Sequence, residues 1–312
     1  TLDRSSAASD VYKRQSRHCA HRAQSEYAMG SGTPYTYLFV PGNRPERFHK
    51  AASSEADRII LDLEDAVAPA DKGAARQAIA QWLRAAAPGL PAHRVLIRIN
   101  AASSADFALD LQLLRDLPPC GAMLPKSESG SQPQAVRDAM QPGTELLALV
   151  ETAAGIQACP GLASHPAVSR LALGALDLMV DLNVPADSPT LVFAAAQLVL
   201  ASRAAGLPAP VAGVTPSLQI ADTQGDMAQA LRAGFGAKMC IHPNQLAAVR
   251  QALMPSAADL EWATQVVQAW GAAQTTQAPT GALQVNGKMV DRPVYLQAQE
   301  ILERQQRHQS RT

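Results

Sequence analysis

Two acidic residues stand shortly after apolar, strand-like runs, and their spacing suits metal chemistry. Glu151 follows the run that ends in Val150, and Asp177 lies just beyond the run that ends in Leu173. A carboxylate at the end of a parallel strand can face a polar site. Two of them on successive strands suit a hard cation such as Mg²⁺, which prefers oxygen ligands and usually keeps waters that a substrate can replace. The pair predicts a metal-assisted enzyme, although taken alone it is equally typical of a strand-end charge and a helix cap.

The composition is that of a globular protein with an ample core. The chain has 312 residues, 47% of them hydrophobic, and its 27 basic and 27 acidic residues give a formal net charge of zero. This balance argues against disorder and gives no sign of a nucleic-acid partner. The longest apolar stretch, Leu191 to Ala201, is well short of the roughly 20 residues that span a bilayer, so we expect no membrane partner either.

The cysteines indicate a reducing environment. Cys19, Cys120, Cys159 and Cys240 are widely scattered and form no CxxC pair, which argues against a disulfide framework or a zinc site. A cytoplasmic location fits this usage best. We interpret Cys159 and Cys240 as small buried hydrophobic residues rather than nucleophiles.

Residues 1–28 are polar and rich in Arg and Ser, and they lack the apolar core of a secretory signal. A transit peptide is one interpretation. The segment Ser5–Gln15, however, resembles the in-frame translation of a common sequencing adapter. We therefore expect residues 1–28 to be a cloning or assembly artefact outside the fold, with Met29 as the true start. Removing them should leave melting temperature and activity almost unchanged.

From Tyr35 onward, short β-rich apolar runs alternate with helical patterns, which is typical of βα units around a parallel sheet. One of the helices carries Phe107, Leu111 and Leu114 at spacings i, i+4 and i+7. Eight repeats favour an α/β fold of the closed (β/α)₈ TIM-barrel type, expected over residues 29–255. The eight runs are Tyr35–Val40, Arg58–Leu63, Arg94–Ile99, Gly121–Leu124, Glu145–Val150, Ser169–Leu173, Pro210–Val214 and Ala237–Ile241.

Polar residues gather at or just past the ends of these runs, as they do on the catalytic face of a barrel. They are Asn43, Arg44, Glu64, Asp65, Arg98, Asn100, Lys126, Glu151, Asp177, Thr215 and His242. A doubly wound open sheet is the alternative architecture. It normally carries a nucleotide fingerprint such as GxGxxG after the first strand, and because this sequence has none there, we prefer the barrel.

Residues 256–312 have a different pattern. Ser256–Thr275 predicts a helix with one apolar stripe, and Thr276–Gly281 predicts a loop. The Asn-Gly pair within Leu283–Val290 is a strong hairpin signal, and a closing helix is expected over Arg292–Arg304. We interpret this tail as a lid or an oligomer arm rather than a second full domain.

Seven short motifs are spread in order between residues 37 and 303. They are Leu38–Pro45, Leu61–Val67, Arg98–Asn100, Val150–Gly155, Gly174–Asp177, Ile241–Pro243 and Gly287–Asp291. Each motif is short, but their order and spacing make the set specific. Together they resemble the citrate lyase β-subunit-like branch of the HpcH/HpaI aldolase superfamily, which includes malyl-CoA and citramalyl-CoA lyases.

The resemblance implies a Mg²⁺-dependent barrel, with Mn²⁺ as a substitute ion, that makes or breaks a carbon–carbon bond next to a CoA thioester. A substrate such as malyl-CoA or citramalyl-CoA would give acetyl-CoA and a 2-oxo acid. Glu151 and Asp177 match the metal ligands, and Arg98 matches the arginine that stabilises the reacting substrate oxygen. Glu64 and Asp65 are expected behind the metal, where they would hold metal-bound water.

Other positions match residues that relatives use for the thioester. Phe39, Arg44 and Lys50 fall where relatives contact the thioester and its phosphates. Asp291 matches a tail aspartate that relatives insert into a neighbouring subunit's site, where it handles the proton at the thioester's enolate carbon. The resemblance therefore implies a homo-oligomer, either a trimer or a hexamer.

Several other activities remain open. A citrate lyase β subunit would act on a carrier-protein thioester in a multi-subunit complex, and a malyl-CoA thioesterase would let water attack the same thioester. A CoA-independent class II pyruvate aldolase typically has Glu followed by His in the second-strand motif, and here Asp65 stands in place of that His. A non-catalytic scaffold is disfavoured because Glu151, Asp177, Arg98 and Asp291 are all retained.

Plainer roles for some of these residues also stay open. Glu64 and Asp65 could be loop charges paired with Lys72 or Arg76, and Arg98 could pair with a carboxylate to stabilise the barrel mouth. We leave Lys126 unassigned. Relatives often continue the second metal motif with Asp-Leu-Gly, whereas this sequence has Asp-Leu-Asn at residues 181–183, which leaves the shape of the following loop and the choice of substrate open.

Overall fold

The computed structural model describes residues 33–86, 89–275 and 283–309. These residues form two compact units that divide after Ala252. The leader at residues 1–28 and the expected loop Thr276–Gly281 lie outside the described residues.

The first unit is a closed barrel of eight parallel strands in the order β1 to β8, which confirms the predicted TIM-barrel fold and all eight strand positions. Each strand pairs with the next along the chain, and β1 closes the barrel against β8. The strands are β1 Thr36–Pro41, β2 Arg58–Asp62, β3 Val95–Arg98, β4 Gly121–Leu124, β5 Leu146–Val150, β6 Arg170–Leu173, β7 Val211–Ala212 and β8 Ala237–Cys240.

Helices connect the strands and cover the outside of the barrel. They are α1 Phe48–Ala52, α2 Lys72–Ala86, α3 Phe107–Asp116, α4 Ser131–Arg137, α5 Ala153–Ser164, α6 Ala175–Leu182, α7 Pro189–Ala204, α8 Ile220–Ala233 and α9 Gln245–Leu253. Local chemistry sets where they begin: the Thr152 hydroxyl caps α5 by accepting a hydrogen bond from the Gly155 amide, and Ser188 caps α7 before Pro189. No helix within the described ranges is long and apolar enough to cross a bilayer.

Alternate residues of the strands fill the barrel interior. Because side chains along a strand point to opposite faces in turn, each strand sends every second residue inward. All eight strands contribute to this interior cluster: Tyr37, Ile60, Leu96, Met123, Leu147, Leu149, Ala172, Val211, Ala237 and Met239. The barrel interior is therefore filled by side chains, and the catalytic face of a barrel of this type lies at the C-terminal end of its strands.

A buried polar network closes the N-terminal end of the strands. Glu145 accepts a hydrogen bond from the Tyr37 hydroxyl at 2.7 Å and pairs with Nε of Arg58 at 3.0 Å. The guanidinium of Arg170 lies 5.9 Å from the Tyr37 ring centroid and donates to two backbone carbonyls. This end of the barrel is thus tied together by buried hydrogen bonds and one ion pair, as expected of the end that serves stability in a barrel of this type.

Three cysteines of the barrel are free and buried: Cys120, Cys159 and Cys240. Burial raises the pKa of each thiol to about 12. A thiol is nucleophilic only as the thiolate, so these side chains act as small apolar residues, as the sequence predicted for Cys159 and Cys240.

The second unit contains two helices and a hairpin, as predicted. α10 (Ala257–Thr275) and α11 (Arg292–Gln309) flank the antiparallel strands β9 (Leu283–Val285) and β10 (Lys288–Val290). Trp270 stacks on Tyr295 with ring centroids 5.0 Å apart, and both contribute to a shared apolar cluster. Asn286 and Gly287 both take positive φ angles at the turn, which suits the Asn-Gly hairpin.

Candidate metal centre and substrate arginine

The apolar interior of the barrel ends in a polar layer at the C-terminal end of the strands. The outermost interior residues of β1, β2, β3 and β5 are Tyr37, Ile60, Leu96 and Leu149. Two positions further along the same four segments come Phe39, Asp62, Arg98 and Glu151. Because the side-chain period of a strand is two, these four residues continue the inward-facing rows into the barrel mouth.

Arg98 is held by carboxylates on the neighbouring strand and its loop. The pairing of β2 with β3 sets Asp62 directly opposite Arg98. Nε donates to Oδ1 of Asp62 at 2.7 Å, and Nη2 donates to Oδ2 at 2.6 Å. The remaining nitrogen, Nη1, lies 2.9 Å from Oε2 of Glu64 and 3.6 Å from Oδ2 of Asp65. The pairing of this arginine with a carboxylate at the barrel mouth, one of its two expected roles, is therefore present.

Phe39 lies beneath the same guanidinium, whose central carbon is 4.9 Å from the ring centroid. This distance is within the range of a cation–π contact. Burial works to lower the pKa of Arg98, but the hydrogen bonds and negative charge of Asp62 outweigh it and raise that pKa further. Arg98 is therefore a permanent, rigidly oriented positive charge.

Glu151 is buried at the end of β5, with 1% of its surface exposed. Its Oε1 accepts a hydrogen bond from the backbone amide of Lys126 at 2.9 Å. Its Oε2 occupies space that only a glycine leaves open, because a Cβ atom on Gly174 would overlap it. The carboxylate is therefore fixed between the ends of β4 and β6.

Asp177 reaches the same region from the first turn of α6 and is half-buried. Burial, followed by the negative charges of Glu64 and Asp177, raises the pKa of Glu151 to about 8, and the backbone hydrogen bond from Lys126 only partly offsets this. The two predicted metal ligands are thus close enough to repel one another.

The donor set of the mouth fits a divalent cation. Five carboxylates face two cations here: Asp62, Glu64, Asp65, Glu151 and Asp177 against Arg98 and Lys126. In the described ranges no three His, Cys, Asp or Glu side chains form a complete metal site by themselves. A Mg²⁺ site needs no such set, since one or two carboxylates with water and substrate oxygens suffice.

Glu64 links the two halves of the mouth. Its Oε1 accepts a hydrogen bond from Nζ of Lys126 at 2.7 Å. Its Oε2 is buried without a hydrogen bond of good geometry, although Nη1 of Arg98 is 2.9 Å away. Burial raises the pKa of Glu64, and the charges of Arg98 and Lys126 partly counter that rise. This oxygen is therefore paired with Arg98 by charge, and it retains acceptor capacity for a further donor such as water.

Lys72 and Arg76 do not pair with the carboxylates of Glu64 and Asp65, one of the plainer roles considered for those two residues. Lys72 instead donates to the backbone carbonyls of Leu63 and Glu64 and to the side-chain oxygen of Asn100. Arg76 pairs with two aspartates of the α3 region at 2.9 Å each. The acidic side chains after β2 are consequently left to Arg98 and Lys126, while Lys72 fixes their backbone.

Arg44 follows the C-terminal end of β1, and Lys50 lies on α1. Nε of Arg44 pairs with Oε1 of Glu46 at 2.8 Å, and Lys50 is exposed on α1. An exposed ion pair of this kind contributes little to stability, so Arg44 can exchange it for a ligand phosphate at small cost.

Asp291 belongs to the second unit and begins α11. Its Oδ1 accepts a hydrogen bond from the Val294 amide at 3.2 Å, which is the geometry of a helix N-cap. Asp291 therefore has a structural role as the N-cap of α11, separate from the catalytic role expected from the sequence.

Two residues of the mouth were not assigned from the sequence. Asp62 lies within the motif Leu61–Val67, but its hydrogen bonds to Arg98 follow from the pairing of β2 with β3. Lys126 was left unassigned, although it contacts both Glu64 and Glu151. The departure at Asn183 has a simple explanation: it ends α6 with φ +52°, a left-handed conformation that glycine and asparagine both adopt readily.

A family model described as HpcH/HpaI aldolase/citrate lyase matches residues 35–243, which include the whole barrel mouth. The chain belongs to this family. It is accordingly an enzyme of the carbon–carbon lyase type, within the citrate lyase β-like group.

Individual members of the HpcH/HpaI family are similar to it along most of their length. A citrate lyase subunit beta-like protein of Mycobacterium tuberculosis is 37% identical over 277 residues, covering 86% of this chain and 94% of the relative. A (3S)-malyl-CoA thioesterase of Cereibacter sphaeroides is 32% identical over 260 residues, covering 81% and 88%. The crystal structure of M. tuberculosis CitE in complex with magnesium, acetoacetate and coenzyme A matches with a TM-score of 0.75 and 34% identity, covering 88% and 98%.

Proposed function

We propose that this protein is a Mg²⁺-dependent lyase that cleaves or forms a 3-hydroxyacyl-CoA thioester such as malyl-CoA or citramalyl-CoA, giving acetyl-CoA and a 2-oxo acid. One observation carries the proposal: two carboxylates, Glu151 and Asp177, share a barrel mouth with a fixed guanidinium, Arg98. The magnesium and coenzyme A in the M. tuberculosis CitE structure support the same reading for this chain.

Glu151 and Asp177 would hold the metal, with Mn²⁺ as a substitute. Mg²⁺ bound there supplies a Lewis acid and a template for substrate oxygens. Glu64 and Asp65 face the same space and would order water around the site, a role that the remaining acceptor capacity of Oε2 of Glu64 supports.

Arg98 would stabilise the substrate oxygen that alternates between alkoxide and carbonyl. In cleavage, this oxygen releases its proton to solvent as the bond between its carbon and the thioester α-carbon breaks. The electron pair of that bond moves to the α-carbon, which takes up a proton to give acetyl-CoA. A charge that Asp62 already holds in place needs no reorganisation as negative charge develops, which is the most effective form of electrostatic catalysis.

Phe39, Arg44 and Lys50 would contact the thioester and its phosphates. Asp291 would supply the proton-transfer carboxylate from a neighbouring subunit. The active protein would then be a homo-oligomer, a trimer or hexamer, in the cytoplasm. Residues 256–312 would act as the arm that reaches the neighbour.

A thioesterase is the second candidate, favoured by the similarity to the (3S)-malyl-CoA thioesterase of C. sphaeroides. The same mouth would bind the thioester, and an activated water would attack its carbonyl carbon. The products would be a free acid and coenzyme A with a free thiol.

A panel assay separates these activities. The purified protein is incubated with Mg²⁺ and malyl-, citramalyl-, methylmalyl- or citryl-CoA, and both the 2-oxo acid and the free thiol are followed. A lyase releases the 2-oxo acid without a free thiol, a thioesterase releases a thiol without the 2-oxo acid, and preference for citryl-CoA would indicate a citrate lyase β subunit. Turnover that survives complete chelation of divalent cations would refute the metal-dependent proposal.

A further inference from the structure

Lys126 has an unusual backbone conformation for a lysine. In the described residues, the non-glycine residues with positive φ are Lys126 (φ +45°), Asn183 and Asn286. The two asparagines lie at a helix C-terminus and a hairpin turn, where that conformation is common. Lys126 lies two residues after the end of β4, at neither a helix C-terminus nor a hairpin turn. A strained backbone of this kind persists where its surroundings hold it, often at a functional site.

The left-handed turn directs the Lys126 amide toward the candidate metal ligand. It donates to Oε1 of Glu151 at 2.9 Å. The next residue anchors the turn, because the Ser127 amide donates to the Leu149 carbonyl at 3.0 Å and its hydroxyl donates to the Leu124 carbonyl at 2.9 Å. The bend is thus fixed to both β4 and β5, and the amide has a set direction.

The side chain of Lys126 reaches the other half of the mouth. Its ammonium donates to Oε1 of Glu64 at 2.7 Å, and the second oxygen of Glu64 lies beside Arg98. Met123 faces the barrel interior, so regular strand alternation would turn the side chain at position 126 away from it. The change in backbone conformation reverses that direction. One residue therefore contacts the metal-ligand side and the arginine side of the same site.

We propose that Lys126 is a positioning residue with two separable parts. Its left-handed backbone orients Glu151 for the metal, and its ammonium holds Glu64 against Arg98 for the substrate. This inference rests on the proposed function, and it predicts that backbone and side-chain changes at position 126 affect different measurements.

Three substitutions separate the parts. Lys126→Gly keeps a backbone that readily takes positive φ but removes the ammonium, so it should bind Mg²⁺ at least as tightly as the wild type. Its kcat/KM should nevertheless fall by about tenfold or more, the usual size of a lost supporting contact. Lys126→Arg keeps the cation and should recover most of that loss. Lys126→Val disfavours positive φ and should weaken Mg²⁺ binding by about tenfold or more.

Mg²⁺ affinity is measured by calorimetry on the full-length protein, alongside melting temperature and kcat/KM. Asn286→Val is the matched control: it opposes positive φ in the second unit, so it should lower the melting temperature without weakening Mg²⁺ binding. If Lys126→Val does not fold, Lys126→Thr takes its place, because β-branched residues disfavour positive φ more strongly than lysine does.

A folded Val or Thr variant that binds Mg²⁺ as tightly as Lys126→Gly would overturn the backbone half of the inference, because these variants all lack the ammonium and differ in how readily they take positive φ. Unchanged kcat/KM in Lys126→Gly would overturn the side-chain half. A wild-type protein that binds no Mg²⁺ would instead overturn the proposed function, and this inference with it.

Discussion

Asp62 holds Arg98 through two parallel hydrogen bonds, Nε to Oδ1 at 2.7 Å and Nη2 to Oδ2 at 2.6 Å. The β2–β3 register places the two residues opposite one another, and both are buried. A two-point bond of this kind fixes the plane of the guanidinium as well as its position. The arginine is therefore oriented before a substrate arrives.

We predict that Asp62→Asn lowers kcat/KM on the order of 10²-fold, because a misplaced catalytic group costs about that much. Breaking a buried ion pair costs about 3–5 kcal/mol when the remaining charge is left without a partner. Arg98 keeps Glu64 at 2.9 Å and Asp65 at 3.6 Å, so Asp62→Asn should destabilise the fold by less than that. Steady-state kinetics with the preferred thioester and a thermal melt measure the two effects separately.

Glu145→Gln provides the control, because it weakens the buried pair with Arg58 at the other end of the barrel. It should destabilise the protein while leaving kcat/KM of the folded enzyme unchanged. Equal kinetic losses in the two variants would mean that Asp62 acts through stability alone.

We predict that Glu151→Gln and Asp177→Asn each abolish turnover with little change in secondary structure. Each substitution removes one negative charge at almost constant volume, and a hard cation depends strongly on the charge of its ligands. Calorimetric Mg²⁺ titrations and circular dichroism test this. Normal metal affinity in both variants would contradict the assignment.

We predict that Mg²⁺ stabilises the protein more at higher pH. Burial and nearby carboxylates raise the pKa of Glu151 from 4.5 to about 8, so the folded, metal-free chain binds that proton more tightly than the unfolded chain does. Stability from this group is present below pH 4.5 and is lost as pH rises toward about 8. Mg²⁺ binds the deprotonated form, and its effect should grow over the same interval.

The measurement is the rise in melting temperature on adding Mg²⁺, compared at about one pH unit below and one above the folded pKa of Glu151. Glu151→Gln should show no such growth. A rise that is the same at both pH values in the wild type would exclude Glu151 as the titrating ligand.

We predict that Asp291→Asn cuts turnover by about 10²- to 10⁴-fold, the usual size of a lost general acid–base group. Asparagine is as good an N-cap as aspartate, so the hydrogen bond to Val294 and the melting temperature should be kept. Asp291→Ala should lose both activity and some stability. Full activity in Asp291→Asn would leave the residue with its capping role only.

Subunit mixing tests whether Asp291 acts on a neighbour. Inactive Asp291→Asn and inactive Glu151→Gln chains are exchanged, so that some interfaces join an intact barrel to an intact arm. Activity should reappear in the mixture. Demonstrated exchange without recovery would place Asp291 in its own chain's site or outside catalysis.

The barrel could be predicted from the sequence because its signals are local. Apolar runs of strand length, helical stripes and polar run ends recur eight times, and each observed strand lies within or next to a predicted run. Glu151 could be placed at the mouth for the same reason, since it directly follows Val150 at the end of β5. The Asn286-Gly287 hairpin is equally local.

The connections across the mouth could not be predicted. Asp62 and Arg98 are 36 residues apart, and their contact follows from the strand register, which an apolar run does not specify. Lys126 carries no sequence signal for a left-handed backbone, because lysine has no preference for it. One interpretation based on nearness in the sequence was wrong. Glu64 and Asp65 pair with Arg98 and Lys126 and not with Lys72 or Arg76, although the latter two are closer along the chain.

Gly174 gives the fold a simple marker for surveying related genes. A Cβ atom at this position would overlap Glu151, so no other amino acid fits without displacing that carboxylate. Any homologue with a larger residue here would have to place this carboxylate, our candidate metal ligand, elsewhere. The residue at this one alignment position would thus separate paralogues that can keep the carboxylate of Glu151 in this place from those that cannot, before any of them is purified.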